Sequence, residues 1–104
     1  MATQNLIDFE AWLTSKGTRS KKAISDAVSR VKRIMEEYDL DGWYSVDQCK
    51  SIRALFNYPR QAEKAGLNPL VKIQFQTKNV YEGMQSLKDA LNLYTEFLDN
   101  TFVH

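Results

Sequence analysis

Cysteine and histidine are almost absent from this sequence of 104 residues. It contains one cysteine, Cys49, and one histidine, His104. An intrachain disulfide is therefore impossible, and no set of cysteines and histidines offers the spacing of a structural zinc site. A Ser–His or Cys–His catalytic pair needs a histidine that the fold holds in place, which we do not expect of His104 at the last position. We predict a protein that is not an enzyme and that binds no metal.

Glycine is also scarce, and long apolar runs are missing. The four glycines stand singly, so no glycine-rich phosphate loop exists and we predict no nucleotide cofactor. No apolar run approaches the roughly 20 residues that span a bilayer, so we expect no membrane contact. The first residues, MATQNLIDFEAW, lack the basic and then apolar regions of a secretory signal. The expected location is the cytoplasm.

Charge is segregated along the chain although the net charge is only +1. Residues 1–15 sum to −2, residues 16–33 to +6 and residues 34–49 to −5, followed by +5 for residues 50–78 and −3 for residues 79–104. Such blocks either form solvated faces or bring two basic stretches together into one patch.

Helical periodicity dominates the apolar residues. Residues 5–15 carry a first apolar stripe, with Leu6, Phe9, Trp12 and Leu13 on one side. The strongest pattern covers about 19–38, with Thr18 or Ser20 as the N-cap, and a second long pattern covers about 79–99. Gly83 lies inside the first turns of this second pattern and disfavours helix, so a start after Gly83 is the alternative to a start at 79. The sequence predicts one all-α domain, residues 1–104, a compact bundle of four to six helices with two long ones.

The connections between these helices carry weaker signals. Residues 39–45, DLDGWYS, read as a turn that folds Trp43 and Tyr44 onto the core. Ser45 then opens a capping box with Gln48, which predicts a third helix from that point. A short fourth helix is expected from Pro59 to Gly66, and residues 70–78 are interpreted as irregular or helical despite their alternating pattern.

The long helix over 19–38 places its basic residues away from its apolar stripe. On a wheel of about 100° per residue centred on Ile24, Arg19, Lys22, Arg30 and Arg33 fall on the opposite side, with Lys21 and Lys32 at the shoulder. Ser25 and Ser29 lie beside them as small hydrogen-bond donors of the kind that contact phosphate. This surface suits a polyanion, although a charged outer face is also common in soluble helices.

Three stretches together resemble a known kind of module. They are FEAWLTSKGTRSKKAISDAVSRVKRIMEEYDLD, SVDQCKSIRALF and GMQSLKDALNLYTEFL, the last containing Leu91, Tyr94, Phe97 and Leu98. The combination resembles the helical N-terminal DNA-clasping module of phage-integrase-type recombinases and of some restriction-type endonucleases. The resemblance implies a phage or mobile-element context and DNA contacts through Lys21, Lys22, Arg30 and Arg33.

Three functions stay open at this point. The first is a DNA-binding helical module that uses Arg19, Lys21, Lys22, Arg30, Lys32 and Arg33, with Lys50, Arg53, Arg60 and Lys64 from the second basic stretch. The second is a phage-type inhibitor or adaptor that binds a host protein, such as a nuclease, through Glu36, Glu37, Asp39, Asp41, Trp43, Tyr44 and Asp47. We call residues 36–47 the acidic segment; its spacing matches no calcium loop. The third is a homodimeric structural domain.

Overall fold

Six helices and no strand make up the described part of the chain, residues 3–66 and 80–101 of the computed structural model. In chain order they are α1 (Thr3–Lys16), α2 (Lys21–Glu37), α3 (Leu40–Asp47), α4 (Lys50–Leu55), α5 (Arg60–Lys64) and α6 (Val80–Thr101). Helix α6 packs against α1, α2, α4 and α5, and α1 also packs against α2. The predicted all-α bundle with two long helices is confirmed, since α2 has 17 residues and α6 has 22.

Helix α2 forms where the apolar period is strongest. The Ser20 side chain accepts a hydrogen bond from the backbone N–H of Ala23 at 3.1 Å, which confirms Ser20 as the N-cap. The inner face then buries one residue per turn: Ile24, Ala27, Val31 and Ile34. Arg19 precedes the cap, so the structure corrects its predicted place on the outer face of the helix.

An aromatic cluster joins α1 to α6. The ring of Phe9 lies 5.3 Å from that of Tyr94 and 5.6 Å from that of Phe97, and Trp12 lies 5.8 Å from Phe97. Each such pair contributes about 0.5–1.5 kcal/mol beyond the burial of its area. Phe9 is fully buried and Trp12 packs half-buried against the core, as the sequence predicted.

The predicted turn over residues 39–45 is wrong, because this stretch forms most of α3. Asp39 acts as the N-cap, its carboxylate accepting from the N–H of Gly42 at 3.2 Å. Leu40 and Tyr44, one turn apart, are buried, and their burial favours a helix over a turn. Trp43 points away from the core with 38% of its surface exposed, which corrects the prediction that it folds inward.

The predicted helix start at Ser45 is also wrong, since Ser45 lies inside α3. The break falls at Gln48 and Cys49, which adopt φ angles of 59° and 64° in the left-handed region. Non-glycine residues rarely occupy this region, so the surrounding contacts must stabilise the sharp reversal. Asp47 contributes, because its carboxylate accepts from the backbone N–H of Ser51 at 3.1 Å and satisfies the first turn of α4.

The predicted short helix after Pro59 is confirmed by α5, with Gly66 following it at a φ of 72°. Helix α6 begins at Val80, close to the predicted start near residue 79, and Gly83 does not delay it. Tyr81 explains the early start, because it packs half-buried against the core. The prediction for residues 70–78 lies outside the described residues.

The buried side chains of the described ranges form one hydrophobic cluster drawn from α1, α2, α3, α4 and α6. Cys49 belongs to it, with its thiol fully buried and donating a hydrogen bond to the carbonyl oxygen of Leu40 at 3.3 Å. Burial raises the pKa of this thiol to about 11. Within these ranges, no helix combines the length and the apolar character that a bilayer crossing requires.

Candidate functional site

The outer side of α2 carries five basic residues, which we call the basic face: Lys21, Lys22, Arg30, Lys32 and Arg33. The three lysines are exposed, whereas the two arginines are half-buried. Partial burial of an arginine places its aliphatic stem along the protein surface and leaves the guanidinium group in water. The face is therefore a surface of projecting cations on a rigid helix.

These cations fall into two groups along the helix axis. Lys21 and Lys22 lie in the first turn, and the group formed by Arg30, Lys32 and Arg33 lies in the second half. With a rise of 1.5 Å per residue, the centres of the two groups are about 15 Å apart. The distance is comparable to the width of the DNA major groove, about 12 Å.

Three of the five cations on the basic face form no ion pair with described residues. Lys21, Arg30 and Lys32 form no ion pair with another described residue. Lys22 pairs with Asp26, with 3.3 Å between Nζ and Oδ2, but 85% of the lysine side chain remains exposed. An exposed pair one turn apart contributes no more than about 0.5 kcal/mol, so a phosphate can compete for Lys22.

Two basic residues near α2 are engaged elsewhere. Lys16 pairs with Glu96 at 3.5 Å and lies over the ring of Trp12, 4.3 Å from its centroid. Arg19 contacts its neighbour Thr18, with its guanidinium donating to the hydroxyl at 3.4 Å. Residues 16–33 contain seven lysines and arginines, and five of them therefore lie on the basic face.

The second basic stretch is less available than the sequence suggests. Arg60 stacks over the ring of Tyr81, 4.3 Å from its centroid, and so links α5 to α6. Arg53 is half-buried, and its Nε atom is shielded from solvent without a hydrogen-bond partner. Lys50 and Lys64 are exposed. Of the four predicted residues, the two lysines are therefore exposed without an ion pair to a described residue, whereas Arg60 is exposed but contacts the ring of Tyr81.

The acidic segment uses three of its five carboxylates inside the fold. Asp39 caps α3, and the carboxylate of Asp47 accepts from the backbone N–H of Ser51 in the first turn of α4. The carboxylate of Asp41 accepts from the Asn5 amide at 2.9 Å and from the Tyr94 hydroxyl at 2.7 Å. The side chain and backbone of Ser51, together with the neighbouring backbone N–H groups, hold the pKa of Asp47 below its usual value. Glu36 and Glu37 are exposed, and no described acids or cysteines cluster as metal ligands.

Trp43 and Tyr44, two aromatic residues of the acidic segment, differ in their exposure. Tyr44 is buried and donates to the carboxylate of Asp99 at 2.6 Å, and this hydrogen bond, with burial, raises the tyrosine pKa to about 12. Burial, followed by the hydrogen bond to Asp41, likewise raises the pKa of Tyr94. Tyr44 is therefore a structural residue, whereas Trp43 is available at the surface.

Sequence reasoning missed the partners of these groups, namely Asn5, Tyr94 and Asp99. Asn5 and Tyr94 meet Asp41 from positions 36 and 53 residues away, and Tyr44 meets Asp99 across 55 residues. No periodicity in one sequence reports such pairs. The result is a polar junction, formed by Asn5, Asp41, Tyr44, Tyr94 and Asp99, that ties α1 and α3 to α6.

No protein-family model, curated protein or solved structure matches this chain. The resemblance to recombinase and endonuclease modules therefore stays a prediction.

Proposed function

We propose that this chain is a non-catalytic helical module that binds duplex DNA through the basic face of α2. One observation carries the proposal: α2 buries a full apolar stripe while Lys21, Arg30 and Lys32 project outward without ion pairs to described residues. Cations held this way on a helix are available to phosphates without disrupting the fold.

The spacing of the basic face favours contact with both strands of a duplex. The two groups of cations, about 15 Å apart, can bind phosphates on opposite edges of one groove. Arginine offers two parallel hydrogen bonds to a phosphate and lysine offers a mobile point charge. The exposed hydroxyls of Ser25 and Ser29 lie between the groups and add neutral donors. Contacts of this kind with the phosphate backbone of DNA position a protein on the duplex with little sequence preference.

A titration of fluorescently labelled duplex DNA at two salt concentrations tests the proposal. If all five cations neutralise phosphates, the logarithm of the affinity falls with the logarithm of salt at a slope of about −4 to −5. The variant Lys21→Glu/Lys32→Glu should lose at least about tenfold in affinity and show a shallower slope. Both lysines are exposed and form no ion pair with a described residue, so the variant should keep the stability of the parent.

The matched control is Lys50→Glu/Lys64→Glu, which makes the same charge change on exposed lysines of α4 and α5. Equal loss in both variants would show that net charge, and not the basic face, governs binding. No binding to duplex at low salt would refute the proposal. The alternative of a host-protein partner at the acidic segment stays a prediction, weakened because Asp39, Asp41 and Asp47 serve the fold.

A further inference from the structure

The middle of the basic face carries short side chains, whereas its two ends carry long ones. Ser25, Asp26 and Ser29 lie on the outer side of α2, between the first-turn lysines and the group that begins at Arg30. The two serines are exposed, and 41% of the Asp26 side chain is exposed. The outer surface of α2 is therefore lower at its centre, with projecting cations on either side.

This profile matches the major groove of B-DNA. The groove is about 12 Å wide and 8.5 Å deep, and it admits an α-helix, whose diameter with side chains is about 10–12 Å. When the cations at the two ends contact phosphates on opposite edges of the groove, the middle of the helix faces the groove floor. Short side chains there allow the helix backbone to approach the base edges, which long side chains would prevent.

Asp26 is the residue of this surface that phosphate binding does not explain. It is the one acid among residues 16–33, and its carboxylate is repelled by phosphate. Its pair with Lys22 stabilises α2 only weakly, because the pair is exposed and because lysine before acid is the less favourable order on a helix. Helix stability and phosphate contact therefore give little reason for a carboxylate at the centre of the basic face.

On the floor of the major groove, a carboxylate can bind exocyclic amino groups. An ionised carboxylate only accepts hydrogen bonds, and the groove offers N–H donors at N4 of cytosine and N6 of adenine. In adenine the acceptor N7 lies beside N6 and repels a carboxylate, whereas cytosine presents the N4 donor alone. Asp26 is therefore suited to cytosine. The hydroxyls of Ser25 and Ser29 both donate and accept, so they discriminate little between bases.

We propose, as a specificity that rests on the proposed DNA-binding function, that α2 enters the major groove and that Asp26 accepts a hydrogen bond from the N4 amino group of a cytosine. The exposed pair of Lys22 and Asp26 separates at little cost, since Lys22 then binds a phosphate at the groove edge and Asp26 binds the base. The cations supply most of the affinity, and Asp26 supplies the base preference.

Three duplexes of one sequence, each about two helical turns long, test this contact in a binding titration at low salt. Their cytosines are unmodified, methylated at C5, or methylated at N4, which replaces the amino hydrogen in the major groove with a methyl group. The parent chain should bind the N4-methylated duplex at least about fivefold more weakly than the unmodified one, because the carboxylate loses its donor. The C5-methylated duplex keeps the amino donor and should bind within about twofold of the unmodified one.

Two variants assign the contact to Asp26. Asp26→Ala should bind the unmodified and the N4-methylated duplexes with about equal affinity, since it has no carboxylate to accept from the amino group. Asp89→Ala, the matched control, removes an exposed carboxylate of α6 and should keep the difference that the parent shows. Circular dichroism should show that both variants keep the helical content of the parent.

The possible outcomes distinguish the base contact from DNA binding as such. If the parent binds all three duplexes equally, DNA binding through the basic face stands and the contact between Asp26 and cytosine is refuted. A difference that Asp26→Ala retains would also refute this contact, because another residue would then sense the amino group. Failure of the parent to bind any of the duplexes would refute the proposed function, and the base contact with it.

Discussion

Five carboxylates lie between Glu36 and Asp47, and five lysines or arginines lie on the basic face of α2. In the sequence the two sets read as equivalent charged surfaces. In the fold, three of the five carboxylates accept hydrogen bonds that stabilise the helices, whereas three of the five cations, Lys21, Arg30 and Lys32, form no ion pair with a described residue. A run of like charge therefore indicates a binding surface only after its members are shown to have no structural partner.

The largest difference between the two regions should appear in stability. Tyr94 is fully buried between Phe9 and Phe97 and donates to Asp41. Tyr94→Ala should cost about 3–5 kcal/mol of unfolding free energy through cavity formation and the lost hydrogen bond. Lys21→Ala on the basic face should change it by less than about 0.5 kcal/mol. Urea denaturation measures the unfolding free energy of both variants, and a similar loss in the two would contradict the prediction.

Within the acidic segment, the contrast can be made between two carboxylates. Asp41→Ala removes the acceptor of both Asn5 and Tyr94, and should cost about 1–3 kcal/mol because the tyrosine hydroxyl is left unsatisfied. Glu37→Ala, at an exposed position, should change stability by less than about 0.5 kcal/mol. Thermal unfolding of both variants checks the prediction, and equal midpoints would show that Asp41 is no more structural than Glu37.

Alkaline pH offers a milder test of the polar junction. The hydrogen bond to Asp99 and burial raise the pKa of Tyr44 to about 12 in the folded chain, from about 10 in an unfolded one. A raised pKa means that the folded state holds the proton more tightly, so this contribution is complete below pH 10 and declines as pH rises toward 12.

Comparison with Tyr44→Phe isolates that contribution, since the variant has no proton to lose at this position. The stability advantage of the parent over Tyr44→Phe should stay constant up to about pH 10 and shrink between pH 10 and 12. Chemical denaturation at each pH measures it. If the difference in unfolding free energy between the parent and Tyr44→Phe did not change with pH, ionisation of Tyr44 would not contribute to the loss of stability at alkaline pH, contrary to the prediction.

The smallest effect is expected on the basic face itself. A double-mutant cycle of Lys22→Ala and Asp26→Ala should give a coupling energy below about 0.5 kcal/mol, because the pair is exposed and lies on one helix. The same cycle should show that Asp26→Ala tightens DNA binding, since it frees Lys22 for phosphate. A coupling above 1 kcal/mol would mean that Lys22 is committed to the fold, which would weaken the proposed interface.

Sequence reasoning succeeded where the interactions are local and failed where they join residues that are distant in the sequence. Helix α2 was predictable because its cap at Ser20 and its apolar period are local properties. Helix α3 was missed because Asp39 and Gly42 resemble turn residues, and only the burial of Leu40 and Tyr44 against distant elements makes the stretch helical. The basic face was visible from one helix alone.

The polar junction could not be predicted in the same way. Its residues come from α1, α3 and α6, and the pairing of Asp41 with Tyr94 joins positions 53 residues apart. The left-handed backbone at Gln48 and Cys49 was also missed, because the sequence has no glycine at either position. Such features appear only when the packing is known.

Because Cys49 is buried, the reactivity of its thiol reports transient opening of the fold. A thiol with no exposed surface and a raised pKa reacts slowly with an alkylating reagent while the fold is closed. The sequence has no second cysteine, so each alkylation event records one exposure of this core position. The labelling rate, relative to that of an unfolded chain, reports how often the core opens, and any ligand that stabilises the closed fold should slow it.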